Sequence, residues 1–261
     1  MRRITVVDLC ATDELDVLAA ARAVERQIAD DFSRYWRVEA TLRVVRMPAA
    51  SQASSLRAVL DGSDGIIYVS PNVGSAANDP VGFHFSEHPG TPAGFVFPGL
   101  AAVTGAPWTV ALSHEVLEFL ADPDVNLLVG APHPTRSGAD VLRPYEVCDP
   151  VQARHYEIDA VAVADFVTPQ YFTIAPRRSS HGSEPTHFLG TEDLPSFGTL
   201  QGGTFNYYDL DTRDWAVYPG GDDVDPVTAG WRAARKDAGR APRTLRRVNV
   251  GLDGRGGPHG I

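Results

Sequence analysis

A histidine and two glutamates are grouped in the segment His114-Glu115-Val116-Leu117-Glu118. On an α-helix, residues four apart share a face, so His114 and Glu118 would point the same way and could bind one ion together. Glu115 would lie about 100° round the helix. From there it can take a proton from a water molecule at the ion without binding the ion itself. The spacing therefore predicts a metal-dependent hydrolase, with zinc as the ion and Glu115 as the general base.

A purely structural helix is the alternative for this segment, with solvated glutamates and a hydrogen-bonded histidine. The motif alone does not separate the two interpretations, because a short pattern of this kind occurs often by chance. The apolar residues that flank it favour the metal site, since they would bury the carboxylates. Carboxylates are rarely buried unless they are paired or bind a metal.

The acidic residues Glu146 and Asp149, in a short apolar segment beyond this helix, are the best candidates for further ligands. We assign Glu146 to the metal and expect Asp149 to hold the imidazole of His114 through its other ring nitrogen. The two roles could be exchanged. If the segment is a strand, the two side chains face opposite sides and only one reaches the ion. A plain Asp-Pro turn is the alternative for Asp149.

Several other side chains compete for roles at the site. Four more histidines are candidates for the third ligand, although each is more often a surface or loop residue: His133, His155, His181 and His187. Two histidines before the helix are candidates to line a substrate cleft: His84 and His88. Candidates to stabilise an oxyanion are Tyr145, Tyr156 and His155. The only two cysteines, Cys10 and Cys148, are far apart in sequence and are interpreted as reduced thiols.

The chain has 261 residues, of which 43% are hydrophobic, enough for one domain of two lobes or for two small domains. Its net charge of −10 argues against nucleic acid and anionic membranes as main partners. The sequence starts without a signal-peptide pattern, and no stretch reaches the roughly 18 apolar residues of a membrane span. We therefore expect a cytoplasmic protein that acts on a peptide or a small molecule.

Hydrophobic periodicity predicts the elements that would position these residues. In the first half we expect strands at Ile4–Leu9, Val38–Met47, Gly65–Val69 and Gly94–Phe97, and helices from Thr12 or Asp13 to Tyr35, at Ser54–Leu60 and from Pro107 to Ala121. In the second half we expect a loop over Asp124–Leu142, strands at Tyr145–Cys148, His155–Ile158 and Val161–Phe166, a hairpin of Phe205–Tyr208 with Trp215–Tyr218, and a helix at Val227–Lys236.

From Ile4 to Phe172 the sequence resembles zincin-type metallopeptidases, and it is also similar to an uncharacterised group of bacterial and phage proteins. The resemblance rests on the helix with His114, Glu115 and Glu118 and on the later acidic pair. It implies that Gly94–Phe97 is an edge strand that holds an extended peptide. Glu118 stands where the zincin motif has a second histidine, which makes the site more anionic. Zinc would still bind, and manganese, iron or calcium become more credible.

The sequence as a whole predicts an α+β fold, zincin-like, with a mixed β-sheet beside the active-site helix and a β-rich C-terminal lobe. We expect residues 1–122 to form the N-terminal lobe, residues 123–232 the C-terminal lobe and residues 233–261 a basic, flexible tail. The leading functional hypothesis is a zinc-dependent metallopeptidase. The alternatives are a non-proteolytic metal-dependent enzyme that acts on a small molecule, and an inactive metal-binding protein.

Overall fold

The computed structural model describes residues 1–10, 15–47, 62–71, 82–85, 91–174 and 184–220. Over these residues the protein is α+β, with three sheets and a small number of helices. The helices predicted at Ser54–Leu60 and Val227–Lys236, the basic tail and the caps Thr12 and Asp13 lie outside the described residues. In the described part of the chain, no helix is both long enough and apolar enough to cross a membrane.

The first sheet has five strands, in the order β2-β1-β3-β5-β4. Four of them are parallel, and β4 runs antiparallel to β5 at one edge. The strands are β1 (Arg2–Asp8), β2 (Ala40–Arg46), β3 (Gly65–Val69), β4 (Gly82–Phe85) and β5 (Ala93–Val96). Every residue of β3 is buried, as expected of an apolar run covered on both faces.

Between β1 and β2 the chain forms helix α1 (Val17–Gln27), which continues through a π-helical turn (Ile28–Phe32) into α2 (Ser33–Trp36). The carboxylate of Asp16 caps α1 by accepting a hydrogen bond from the backbone N–H of Ala19. Val24, Ile28 and Phe32 lie on the buried face of this segment, whereas Leu18 is exposed.

Two helices follow β5: α3 (Pro98–Thr104), which the sequence analysis does not predict, and α4 (Trp108–Ala121). Pro107 precedes α4, where its missing N–H costs nothing, and the helix ends before Asp122, as predicted. The helix lies directly against the sheet. A Cβ atom on Gly65 would come within 2.1 Å of the Phe119 ring, so β3 needs a glycine at this contact.

The second half of the chain is rich in β-strands. One antiparallel sheet has the order β11-β10-β7-β6, and a separate hairpin pairs β8 with β9. These strands are β6 (Leu128–Pro132), β7 (Asp140–Pro144), β8 (His155–Ile158), β9 (Val161–Ala164), β10 (Thr204–Asp209) and β11 (Asp214–Pro219). The predicted hairpin of Phe205–Tyr208 with Trp215–Tyr218 is confirmed, and the strands predicted at His155–Ile158 and Val161–Phe166 pair as β8 and β9.

Three sequence predictions about strands and loops are wrong. Gly94–Phe97 is not an edge strand, because β5 pairs with β3 on one side and with β4 on the other. Asp124–Leu142 is not a continuous loop, because it contains β6 and the start of β7. Tyr145–Cys148 is not a strand. Strand β7 ends at Pro144 and a 3-10 turn begins at Asp149, so the residues between them are irregular.

The two halves share one apolar core. The ring of Phe32 lies 5.1 Å from that of Phe166 in an edge-to-face contact, and the indole N–H of Trp36 donates a hydrogen bond to the backbone oxygen of Val167. Helix α4 packs on β9 on one side and on the first sheet on the other. The helix therefore lies between the first sheet and the C-terminal half, and its side chains can contact residues of both.

Candidate metal centre

Helix α4 carries the three residues singled out by their spacing, and it is buried on all sides between Val110 and Leu120. His114, Glu115 and Glu118 therefore cannot be solvated, which excludes the interpretation of a helix with glutamates facing water. Together with His84 and Asp149 they form a set of five residues, each no more than 2% exposed. We call these five side chains the buried cluster. Burying three carboxylates is costly unless positive charge compensates them.

One part of the buried cluster joins α4 to the C-terminal half. The Nε2 atom of His114 lies 3.1 Å from Oε1 of Glu118 and 3.3 Å from Oδ1 of Asp149. These three residues can each offer one ligand atom within 4.8 Å of the other two. One imidazole nitrogen and two carboxylate oxygens make a donor set suited to zinc and to harder divalent ions.

The 3-10 turn Asp149–Val151 brings Asp149 into this group. Just before the turn, the backbone N–H of Cys148 donates a hydrogen bond to Oε1 of Glu118, 3.3 Å away. This contact ties the segment to α4. Asp149 approaches the same ring nitrogen of His114 as Glu118 does, not the other nitrogen, as the sequence analysis expects. Because both carboxylates approach the same nitrogen, Asp149 is placed to bind one ion together with His114 and Glu118. It is not placed to orient the imidazole through its other nitrogen.

Glu146, the other predicted metal ligand, is also buried, but it belongs to neither ligand group found among the described residues. Because the segment is irregular, the strand argument for Glu146 and Asp149 facing opposite sides does not apply to it. Of the four predicted metal residues, the structure brings together His114, Glu118 and Asp149.

A second part of the buried cluster joins α4 to the edge strand β4. The Nδ1 atom of His84 lies 3.1 Å from Oε2 of Glu115 and 3.8 Å from Oε2 of Glu118. These residues form another group whose ligand atoms lie within 4.8 Å of one another. The sequence analysis placed His84 only in a substrate cleft. The available signal was a histidine between apolar residues in a short segment, since successive residues of a strand face opposite sides.

The electrostatic environment of His114 favours positive charge. Burial by itself lowers the pKa of this imidazole, but the charge of Glu118 and the hydrogen bond with Asp149 outweigh burial and raise the pKa to about 10. A proton and a metal ion would compete for the same nitrogen, because a histidine binds metal in its neutral form. Metal binding at this group should therefore release a proton.

The guanidinium group of Arg143 is buried in the C-terminal half near Asp149. It donates hydrogen bonds to the backbone oxygen of Phe197 and to the hydroxyl oxygen of Tyr171, and it stacks on the ring of Phe205. Its electrostatic interaction with Asp149 raises its pKa, although burial has the larger effect and lowers it. Arg143 thus offsets part of the negative charge on the Asp149 side of the buried cluster.

The other candidates have different surroundings. His133 lies 3.5 Å from Asp209, His187 lies 2.6 Å from Asp165, and His155 is exposed on β8. Burial and the neighbouring carboxylates raise the pKa of the Cys148 thiol well above its usual value, so this cysteine is a buried, protonated thiol. Both cysteines are free thiols, as predicted. His88 and His181 lie outside the described residues.

Of the candidate oxyanion partners, Tyr156 is engaged elsewhere. Its hydroxyl group donates a hydrogen bond to Asp31 and accepts one from Gln27. Tyr145 stacks on the ring of Phe172, with 4.4 Å between the centroids. These contacts hold the two tyrosines in the packing between the halves.

The start of the motif is fixed by a buried hydrogen-bond network. The hydroxyl group of Ser113 donates to Oε1 of Gln27, 2.6 Å away, and accepts from the backbone N–H of Ala164, 3.0 Å away. The side-chain amide of Gln27 donates in turn to the backbone oxygen of Ala164. The network joins α1, α4 and β9, and so fixes the position of α4 immediately before His114.

The chain matches no family model, no curated protein and no solved structure. The resemblance to zincin-type metallopeptidases therefore rests on the motif itself.

Proposed function

We propose that the protein is a metal-dependent hydrolase of zincin-like type, with one divalent ion, zinc in the first place, held by His114, Glu118 and Asp149. The observation that carries the proposal is the convergence of one imidazole and two carboxylates in a site closed to solvent. A bound divalent ion supplies Lewis acidity, which polarises a carbonyl group and makes water easier to deprotonate.

Glu115 is the general base in this proposal. It lies beside Glu118 on the same helix, outside the group that contains Asp149, so its carboxylate remains available to accept a proton from water. The same carboxylate then returns the proton to the leaving group. His84, whose Nδ1 atom lies 3.1 Å from Oε2 of Glu115, orients this carboxylate.

Replacing Glu115 by glutamine tests the proposal, because the amide keeps the shape of the side chain and cannot act as a base. Glu157→Gln, an exposed glutamate on β8, is the matched control. We expect metal-dependent hydrolysis of a panel of peptides, amides and esters by the wild type and by Glu157→Gln. In Glu115→Gln, hydrolysis should be lost while the metal content is kept. Full activity in Glu115→Gln, or in wild type stripped of metal by a chelator, contradicts the proposal.

The second candidate function is hydrolysis of a small molecule instead of a long peptide, and the burial of the site favours it. The five side chains of the buried cluster are almost inaccessible to solvent, whereas a protease that binds extended chains needs an open cleft at its ligands. A substrate series separates the two candidates. If small amides and esters are hydrolysed and folded or unfolded proteins are not, the function is small-molecule hydrolysis. Efficient cleavage of casein would support a peptidase.

A further inference from the structure

We infer that His84, Glu115 and Glu118 form a second cation site, and that an ion bound there inhibits the hydrolase. The inference rests on the proposed function, because it concerns the same helix and the same general base. Glu118 belongs to both ligand groups and presents a different oxygen to each. Its Oε1 atom faces His114 at 3.1 Å, and its Oε2 atom faces His84 at 3.8 Å.

The chemistry of this second group matches that of the first. It offers one imidazole nitrogen and two carboxylate oxygens, all buried and all within 4.8 Å of one another. Proteins that bind two metal ions hold them about 3.5–4 Å apart. A carboxylate with one oxygen toward each ligand group, as in Glu118, suits such a pair of sites. Glu118 can therefore contribute to both sites at the same time.

The distribution of charge also favours a second cation. Glu115 lies outside the first ligand group, so an ion held by His114, Glu118 and Asp149 would not bind its carboxylate. The buried positive charge of Arg143 interacts with Asp149, which belongs to the first ligand group and not to the second. A cation at the second site would lie against the carboxylate of Glu115 in a buried environment. The attraction between opposite charges is stronger there than in water.

Occupation of the second site changes the role of Glu115. A carboxylate that serves as a ligand to a cation is no longer available as a base, so Glu115 would not accept a proton from water. The two ions also repel each other across Glu118, which makes the second site weaker than the first, by at least about tenfold in dissociation constant. The protein should then be active with one ion and inactive with two.

Zinc binding, measured by equilibrium dialysis with elemental analysis, tests the site. The variant is His84→Asn, and the matched control is His155→Asn, an exposed histidine on β8. We expect two zinc ions per chain in the wild type and in His155→Asn, the second bound more weakly, and one in His84→Asn. One ion at saturation in the wild type, or two in His84→Asn, overturns the inference and leaves the proposed function intact. If no chain binds zinc, both fail.

A second measurement uses the wild type alone, so it does not depend on how His84→Asn folds. Hydrolytic activity should rise with the first equivalent of zinc and fall as the second binds. The concentration for half inhibition should match the second dissociation constant. A plateau after the first equivalent, or a further rise with the second, overturns the inference of an inhibitory site.

Discussion

The Oδ1 atom of Asp149 lies 3.3 Å from the Nε2 atom of His114, the ring nitrogen that Glu118 also approaches. The two residues come from different halves of the chain, one from α4 and the other from a 3-10 turn after β7. An ion at this nitrogen would therefore link the halves directly. It would add a cross-link to a boundary otherwise held by apolar packing and hydrogen bonds.

Replacing Asp149 by asparagine should weaken metal binding by at least about tenfold, because it removes a charged ligand. Glu146→Gln is the matched control, since Glu146 is a buried acid in the same segment that belongs to neither ligand group. Competition with a zinc-binding dye measures both affinities. The opposite result, with Glu146→Gln losing the metal and Asp149→Asn keeping it, would show that Glu146 is the ligand.

Adding a methyl group at Gly82 should displace the general base. A Cβ atom there would lie 2.9 Å from both Cγ and Oε1 of Glu115, and 3.2 Å from the backbone oxygen of Phe95. We expect Gly82→Ala to lower hydrolytic activity by about 100-fold while the metal stays bound, because small displacements of reacting groups have effects of this size. In the control Gly130→Ala, the new Cβ meets no atom within 4 Å, and activity should stay at the wild-type level. Equal activities in the two variants would contradict the assigned role of Glu115.

Removing the hydroxyl group of Ser113 should destabilise the fold by about 1–3 kcal/mol. Ser113→Ala leaves Oε1 of Gln27 and the backbone N–H of Ala164 without this partner in a buried region. Ser33→Ala removes an exposed hydrogen bond to the backbone oxygen of Ala29 and should change stability by less than about 0.5 kcal/mol. Urea unfolding measures both values, and similar losses in the two variants would refute the structural role of the network.

Protonation of His187 should stabilise the C-terminal half. Burial lowers the pKa of His187, but its hydrogen bond with Asp165, 2.6 Å long, outweighs burial, so the folded pKa lies above the unfolded value of about 6.5. The folded state thus binds the proton more tightly than the unfolded state. The resulting stability is fully present below about pH 6.5 and is lost as the pH rises through the folded pKa.

The free energy of unfolding of wild type and His187→Asn, measured with a chelator present from about pH 5.5 to about pH 9, checks this sign. The advantage of the wild type should shrink as the pH rises. His155→Asn, on the exposed face of β8, should show no such trend. A wild-type advantage that grows with pH would mean that the folded state favours neutral His187.

The sequence predicts the elements whose apolar pattern is strong. Strand β3 and helix α4 are correct because their apolar residues are closely grouped and bounded by Gly or Pro, which leaves few alternatives. Strands β6 and β7 are missed because their residues are half exposed and end in prolines, so they resemble a loop. Which strand lies at the edge of a sheet is decided by pairing between distant segments, and the identity of β4 as the edge could not be read from local pattern.

At the candidate site, local spacing correctly places His114 and Glu118 together, since helical periodicity alone decides it. The choice between Glu146 and Asp149 depends on the irregular backbone after β7, which no periodicity describes. His84 depends on the pairing of β4 with β5, which brings a distant strand over Glu115. Residues contributed by tertiary pairing are therefore the ones that the sequence analysis assigns incompletely.

The near-complete burial of the five clustered side chains also governs how a bound ion would exchange. An enclosed ion leaves only when the surrounding structure opens, so its release would follow the rate of local unfolding and not the strength of its ligands. The metal found in a preparation would then record which ions were present while the chain folded. Two samples with identical sequence and identical storage buffer could therefore differ in their metal until local opening has let the ions exchange, and metal titrations need incubations longer than that opening.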